Sequence, residues 1–158
     1  MTTSSSASSA KSGKGSLKAR KTAARLLGVQ AVYQALQNNT SPAALYEEYI
    51  RFRSGMELEE GHFVEAEPQM FQSLVSGVTE RFADLQQIIR PRVQQGGQVE
   101  PLLTAILLCG TYELLVHQDI DKPIIIADYL DITAGFFEQN EPKLVNGILD
   151  AIAKEVRN

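Results

Sequence analysis

Lys18, Lys21 and Arg25 stand at i, i+3 and i+7, which on an α-helix lines three cations along one face for about two turns. Such a row suits phosphate, because each phosphate neutralised releases condensed counterions. Gln30 and Tyr33 follow on the same stretch. A tyrosine ring offers a stacking face and a glutamine amide both donates and accepts, the two chemistries that read unstacked bases. Tyr33 fits a core position equally well, in one stripe with Leu26, Val29 and Leu36. Single-stranded RNA is favoured over duplex DNA, since no helix–turn–helix or dimeric zipper pattern accompanies the row.

The charge of the chain divides in the same place. Residues 1–25 carry six basic side chains, Lys11, Lys14, Lys18, Arg20, Lys21 and Arg25, and no acidic one. The remaining nine basic and nineteen acidic residues leave the rest of the chain at −10, against −4 for the whole. A basic head on an acidic body reads either as a polyanion-binding arm or as a solvating tail. Residues 1–16, MTTSSSASSAKSGKGS, have almost no apolar side chain to offset the entropy of ordering, so disorder is expected there. No apolar stretch of the kind that marks a secretory signal follows.

Other chemistry finds little support. Cys109, the one cysteine, lies in ILLCGTYELL, where a thiol is expected to be inert core, and it excludes an internal disulfide. His62 and His117 are far apart, and neither has a partner legible in the sequence. Glu59-Glu60 falls in an acidic stretch and reads as solvated; Asp128 and Asp131, at i and i+3, read as a solvated helix face. Gly13 and Gly15 lack the preceding strand a phosphate loop needs. The expectation is a protein that is not an enzyme, holds no metal or cofactor and is cytoplasmic, with no apolar run near the roughly 20 residues of a membrane span.

Helical periodicity dominates from Leu17 onward. The spacing predicts helices over 17–37, ended by Asn38-Asn39-Thr40, and from Ser41-Pro42 toward Arg53. Residues 54–67, SGMELEEGHFVEAE, read as a loop. Phe71, Leu74, Val75, Val78, Phe82, Leu85 and Ile89 form one apolar stripe of a single helix that Pro68 opens and Pro91 interrupts. After Gly96-Gly97, Pro101 opens a helix whose leucines and isoleucines leave no wide polar face, which belongs at the centre of a bundle. Two more helices begin at Pro123 and Glu141-Pro142. The fold class is all-α, a compact bundle of six to seven helices over 17–158 behind the tail of residues 1–16.

Three stretches, taken together, resemble the NusB family of transcription antitermination factors. They are ARLLGVQAVYQALQNN at 24–39, ILLCGTYELL at 106–115, and KPIIIADYLDITAGFFEQNEPKLVNGILDAIAKEVR at 122–157. The resemblance implies an all-helical bundle that pairs with NusE, a small-subunit ribosomal protein. The pair would bind boxA, a short single-stranded element of nascent transcripts such as ribosomal RNA leaders, and work with NusA, NusG and RNA polymerase against premature termination. It implies RNA contacts from the basic amino-terminal helix and nearby helix ends. Matched residue by residue, Arg25 precedes the VQA motif, Tyr33 closes it, and Lys143 and Asn146 stand in KLVNG, with Asn146 expected to bond locally. The sequence departs from the family in a diluted run of Lys18, Arg20 and Lys21, in Leu108 where arginine is common, and in Ala127 and Asp128 where Asn and Glu are common. Two alternatives stay open: the related domain of ribosomal RNA cytosine methyltransferases, which would need a catalytic domain after Asn158, and a self-associating bundle, a homodimer, with no RNA role.

Overall fold

The computed structural model describes residues 15–39, 44, 47, 55–57, 63–93 and 99–157. Residues 1–14 of the expected tail, His62, Glu59-Glu60 and Gly96-Gly97 lie outside the described residues, as does most of the helix expected after Pro42, of which Ala44 and Glu47 are described and helical. In chain order the elements are α1 (Leu17–Asn38), β1 (Gly55–Glu57), β2 (Phe63–Glu65), α2 (Pro68–Glu80), α3 (Phe82–Ile89) with a 3-10 turn at Arg90–Arg92, α4 (Pro101–Val116), α5 (Lys122–Phe136) and α6 (Glu141–Val156).

Helix starts follow the sequence closely. The Ser16 side chain accepts from the Ala19 N–H at the start of α1, and Glu67 and Glu100 do the same for α2 and α4, each with proline in the first turn. Asn39 ends α1 in the left-handed region at φ 54°, a conformation asparagine tolerates. The apolar α4 is central: each of the other five described α-helices packs against it, and Ala105 to Leu114 are buried without a break.

Three details differ from the sequence reading. The long stripe of Phe71 to Ile89 is carried by two helices, not one, with Arg81 at φ −106°, ψ 19° between them. The Thr79 hydroxyl donates to the Val75 carbonyl at 2.7 Å, a back-bond that bends helices, yet the buried face continues through Leu85 and Ile89. The expected loop contains a two-stranded antiparallel hairpin with Met56 opposite Val64. Strands of three residues are too short to show alternation. Their anchor is tertiary: the Glu67 N–H donates to the Arg20 carbonyl at 3.0 Å, Arg20 Nε donates to the Glu65 carbonyl at 3.3 Å, and Val64 packs on the core. On α1, Leu36 is exposed, and the buried face joins Leu27, Val29 and Val32 to small residues, Ala24, Gly28, Ala31 and Ala35 among them.

Small residues allow close approach. A Cβ at Gly28 would come within 3.0 Å of Leu74, and one at Gly77 within 2.3 Å of the Tyr112 ring and hydroxyl. Gly147, on the exposed side of α6, has nothing within 4 Å. Opposite signs are therefore expected from one chemical change. Gly77→Ala lowers stability by about 1–3 kcal/mol through overpacking, whereas Gly147→Ala raises it by about 0.5–1 kcal/mol through lower chain entropy. Urea midpoints of the two variants measure both.

Candidate nucleic-acid interface

Glu113 is the one charged residue in the sequence of α4, and its side chain is fully buried. A carboxylate there must be matched by donors or it destabilises the fold. Arg25 supplies two, Nε to Oε2 at 2.7 Å and Nη2 to Oε1 at 3.0 Å. The Tyr129 hydroxyl donates to Oε2 at 2.6 Å, and His117 Nδ1 lies 3.0 Å from Oε1. Arg25 Nη1 reaches Asp128 Oδ2 at 2.6 Å, and that oxygen also accepts from the Thr22 hydroxyl at 3.0 Å. The ionised carboxylate only accepts, so Nδ1 of His117 donates to it, and Nε2 lies 3.2 Å from Ser73 Oγ. Ser73 in turn meets the Tyr112 hydroxyl at 2.8 Å. One network thus ties α1, α2, α4 and α5 together.

The titration of these groups follows from their setting. Burial pushes the Glu113 carboxyl up, but hydrogen bonds from His117 and Arg25 and the Arg25 charge outweigh it and hold the group below the ordinary carboxylate range. Burial pulls the Arg25 guanidinium down, and the Glu113 bond and charge reverse that, so it stays charged. Burial, then the Glu113 charge, push both the Tyr129 hydroxyl and the Cys109 thiol well up, so Cys109 is the inert core residue expected.

Beside this network, the amino-terminal half of α1 faces the α4–α5 connection across a groove of ≈ 470 Å³. One wall carries Lys18 and Lys21, the other Asp119 and Asp121. Leu17, Ile120 and Ile124 supply apolar surface, with Leu17 and Ile124 exposed, and Arg25 and Asp128 also line the groove. The connection is held by Arg157, which donates to the carbonyls of Leu114 at 2.9 Å, Ile120 at 2.6 Å, His117 at 2.6 Å and Glu113 at 3.4 Å. Glu113 and Leu114 lie in the last turns of α4 and His117 caps it, so the guanidinium also complements the helix dipole.

The residues expected to meet RNA fall into distinct places. Lys18 is exposed and Lys21 half-buried, both on the groove. Arg20 is half-buried and directed to the hairpin. Arg25, though in the same row, is 2% exposed with its donors turned to Glu113 and Asp128. Gln30 and Tyr33 are half-buried further along α1, outside the groove lining, and Tyr33 packs against the core. Lys143 and Asn146 are exposed on α6, which packs on α3, α4 and α5. Asn146 makes no side-chain hydrogen bond among the described residues, contrary to the local bond expected of it. Two further expectations are corrected: Asp128 belongs to the ion network, not to a solvated face, and His117 has partners in Glu113 and Ser73. Asp128 meets Arg25 from 103 residues away and His117 meets Ser73 from 44 away, whereas His117 and Glu113 are an i, i+4 pair at the end of α4. The legible signal is Glu113 itself, a lone charge on an otherwise apolar helix. Leu108 is fully buried and Ala127 exposed. Among the described residues no group of three His, Cys, Asp or Glu could hold a metal ion.

An all-helical bundle with a cationic first helix held by a buried arginine defines the class, and comparison with known proteins gives the family. Residues 22–154 match the NusB family. The chain is 37% identical to the transcription antitermination protein NusB of Agrobacterium fabrum over 138 residues, 85% of this chain and 84% of that one. It is 38% identical to the protein of the same name from Novosphingobium aromaticivorans, over 85% of this chain and 93% of that one. Among solved structures, its fold is similar to a crystal structure of the antitermination factors NusB and NusE in complex with dsRNA, with TM-score 0.72 and 18% identity over 86% of this chain and 97% of that one. It is also similar to T. maritima NusB, with TM-score 0.68 and 22% identity over 87% and 93%. The chain belongs to the NusB family of transcription antitermination proteins. No helix among the described residues is long and apolar enough to cross a membrane.

The network fixes how stability depends on pH. Because Glu113 is held below the unfolded carboxylate value of about 4.3, the stability it contributes is complete above that value and is lost as pH falls toward the folded one. Glu113→Gln is expected to cost about 3–5 kcal/mol at neutral pH, by leaving Arg25 buried with weaker pairing. The same variant should lose part of the acid limb that the wild type shows as pH falls below about 4.3. Denaturant titrations across that range measure both effects.

Proposed function

We propose that this protein is an RNA-binding adaptor of antitermination, which holds boxA-type single-stranded RNA of nascent ribosomal transcripts together with NusE. With NusA, NusG and RNA polymerase it would favour read-through of terminators. The observation that carries the reading is the pair Lys18 and Lys21 on one wall of an open groove, neither making an ion pair among the described residues. Arg25 then has the role of a pin: it fixes α1 against α4 and α5 so that the two lysines face the groove. Gln30, whose amide makes no hydrogen bond among the described residues, and Tyr33 supply base contacts further along the helix. Arg20, Lys143 and Asn146 add contacts at the periphery. The acidic body discourages RNA elsewhere and suits a basic ribosomal protein as partner. That a structural neighbour was solved with NusE and dsRNA supports RNA as the ligand class.

Fluorescence anisotropy of a labelled boxA RNA, a scrambled RNA and a duplex RNA tests this, with and without NusE and over a range of salt. Tighter binding of boxA, strengthened by NusE, is expected. Lys18→Ala and Lys21→Ala should each weaken all RNAs and reduce the slope of log K against log salt by about 0.7 for each phosphate no longer neutralised. Equal weak binding of all three RNAs, unchanged by NusE, would overturn the reading.

A further inference from the structure

The groove beside α1 has charges on both walls that do not pair with each other. Lys18 and Lys21 line one side and Asp119 and Asp121 the other, and none of the four side chains makes a hydrogen bond or ion pair among the described residues. Asp121 occupies the cap position of α5, where an aspartate ordinarily accepts from the helix N–H groups, yet its side chain makes no cap bond. Two exposed aliphatic side chains, Leu17 of α1 and Ile124 of α5, also line the groove. A ligand that satisfies this arrangement carries an anionic group at one end, N–H donors at the other and a flat apolar body between. A nucleotide has that distribution: a phosphate, an aromatic base face, and a base edge.

We propose that the groove holds one nucleotide of a bound RNA strand and selects its base, with the lysines on the phosphate and Asp119 and Asp121 accepting from the amino group of the base edge. The inference rests on the RNA-binding reading above and goes beyond it by assigning base selection to two carboxylates outside the basic row. A carboxylate accepts well from the exocyclic amine of cytosine, adenine or guanine. Uracil flanks its single ring N–H with carbonyl oxygens, which a carboxylate repels. The groove therefore favours an amino-bearing base and disfavours uracil. The carboxylates act as specificity-determining residues, and the lysines supply affinity without sequence preference.

The test uses the full chain with labelled oligo(C) and oligo(U) of equal length, titrated at several salt concentrations, for the wild type, the double variant Asp119→Asn/Asp121→Asn and Lys21→Ala. Asparagine keeps the size and capping ability of aspartate, and circular dichroism checks that the variants are folded. The wild type should prefer oligo(C) about five-fold or more. The asparagine variant should lose most of that preference with its salt slope retained, while Lys21→Ala lowers the slope and keeps the preference. If the asparagine variant binds both RNAs more tightly by the same factor, the carboxylates only repel the backbone and the proposal is wrong. A wild type without preference for cytosine also overturns it. A wild type that binds neither these RNAs nor boxA removes the RNA-binding reading as well, so the two failures are distinguishable.

Discussion

A carboxylate buried in the central helix is the constraint around which this bundle is arranged. Glu113 sits where water does not reach, and its two oxygens require donors from outside its own helix. Arginine from α1, tyrosine from α5 and histidine from just past the end of α4 meet that requirement from three directions. Hydrophobic burial would hold these helices together in many relative rotations; the carboxylate admits few. The row of cations on α1 is oriented by this buried partner rather than by solvent, which explains why a helix with so basic a start lies against the body in one register.

The arrangement separates two tasks within one row of like residues. Lys18, Lys21 and Arg25 share a face by helical spacing, and sequence spacing alone treats them as equivalent. Depth distinguishes them. Lys18 lies at the rim, Lys21 is half-buried, and Arg25 reaches the floor, where its planar fork matches a carboxylate in a way a lysine would not. The cation most fully desolvated is thus structural, and those nearest water remain available for a ligand.

Much of the fold is legible in the sequence, for reasons that can be named. Proline at helix starts, the all-round apolar character of residues 101–116 and the stripe from Phe71 to Ile89 are local patterns, and the structure places helices on each of them. The hairpin escapes such a reading because three-residue strands carry no period and owe their pairing to contacts with α1. Size alone would put Leu36 in the core, whereas α1 buries alanine and glycine beside Leu27, Val29 and Val32 and leaves Leu36 exposed. For the site, the cationic row can be read, but not the pairing of Arg25 with residues 88 and 103 positions away. Spacing reports which residues share a helix face; it does not report what that face meets.

Arg157 adds a matter of timing. It grips four carbonyls that lie 37 to 44 residues earlier in the chain. At translation rates of about 5–20 residues per second, several seconds separate the synthesis of that stretch from the arrival of its clamp. Through this interval the α4–α5 connection is without the side chain that ties its carbonyls together, and one wall of the groove is unfixed. The oldest part of the surface, the basic helix, is therefore present well before the wall it faces, and the nascent chain carries its charge before it carries its shape.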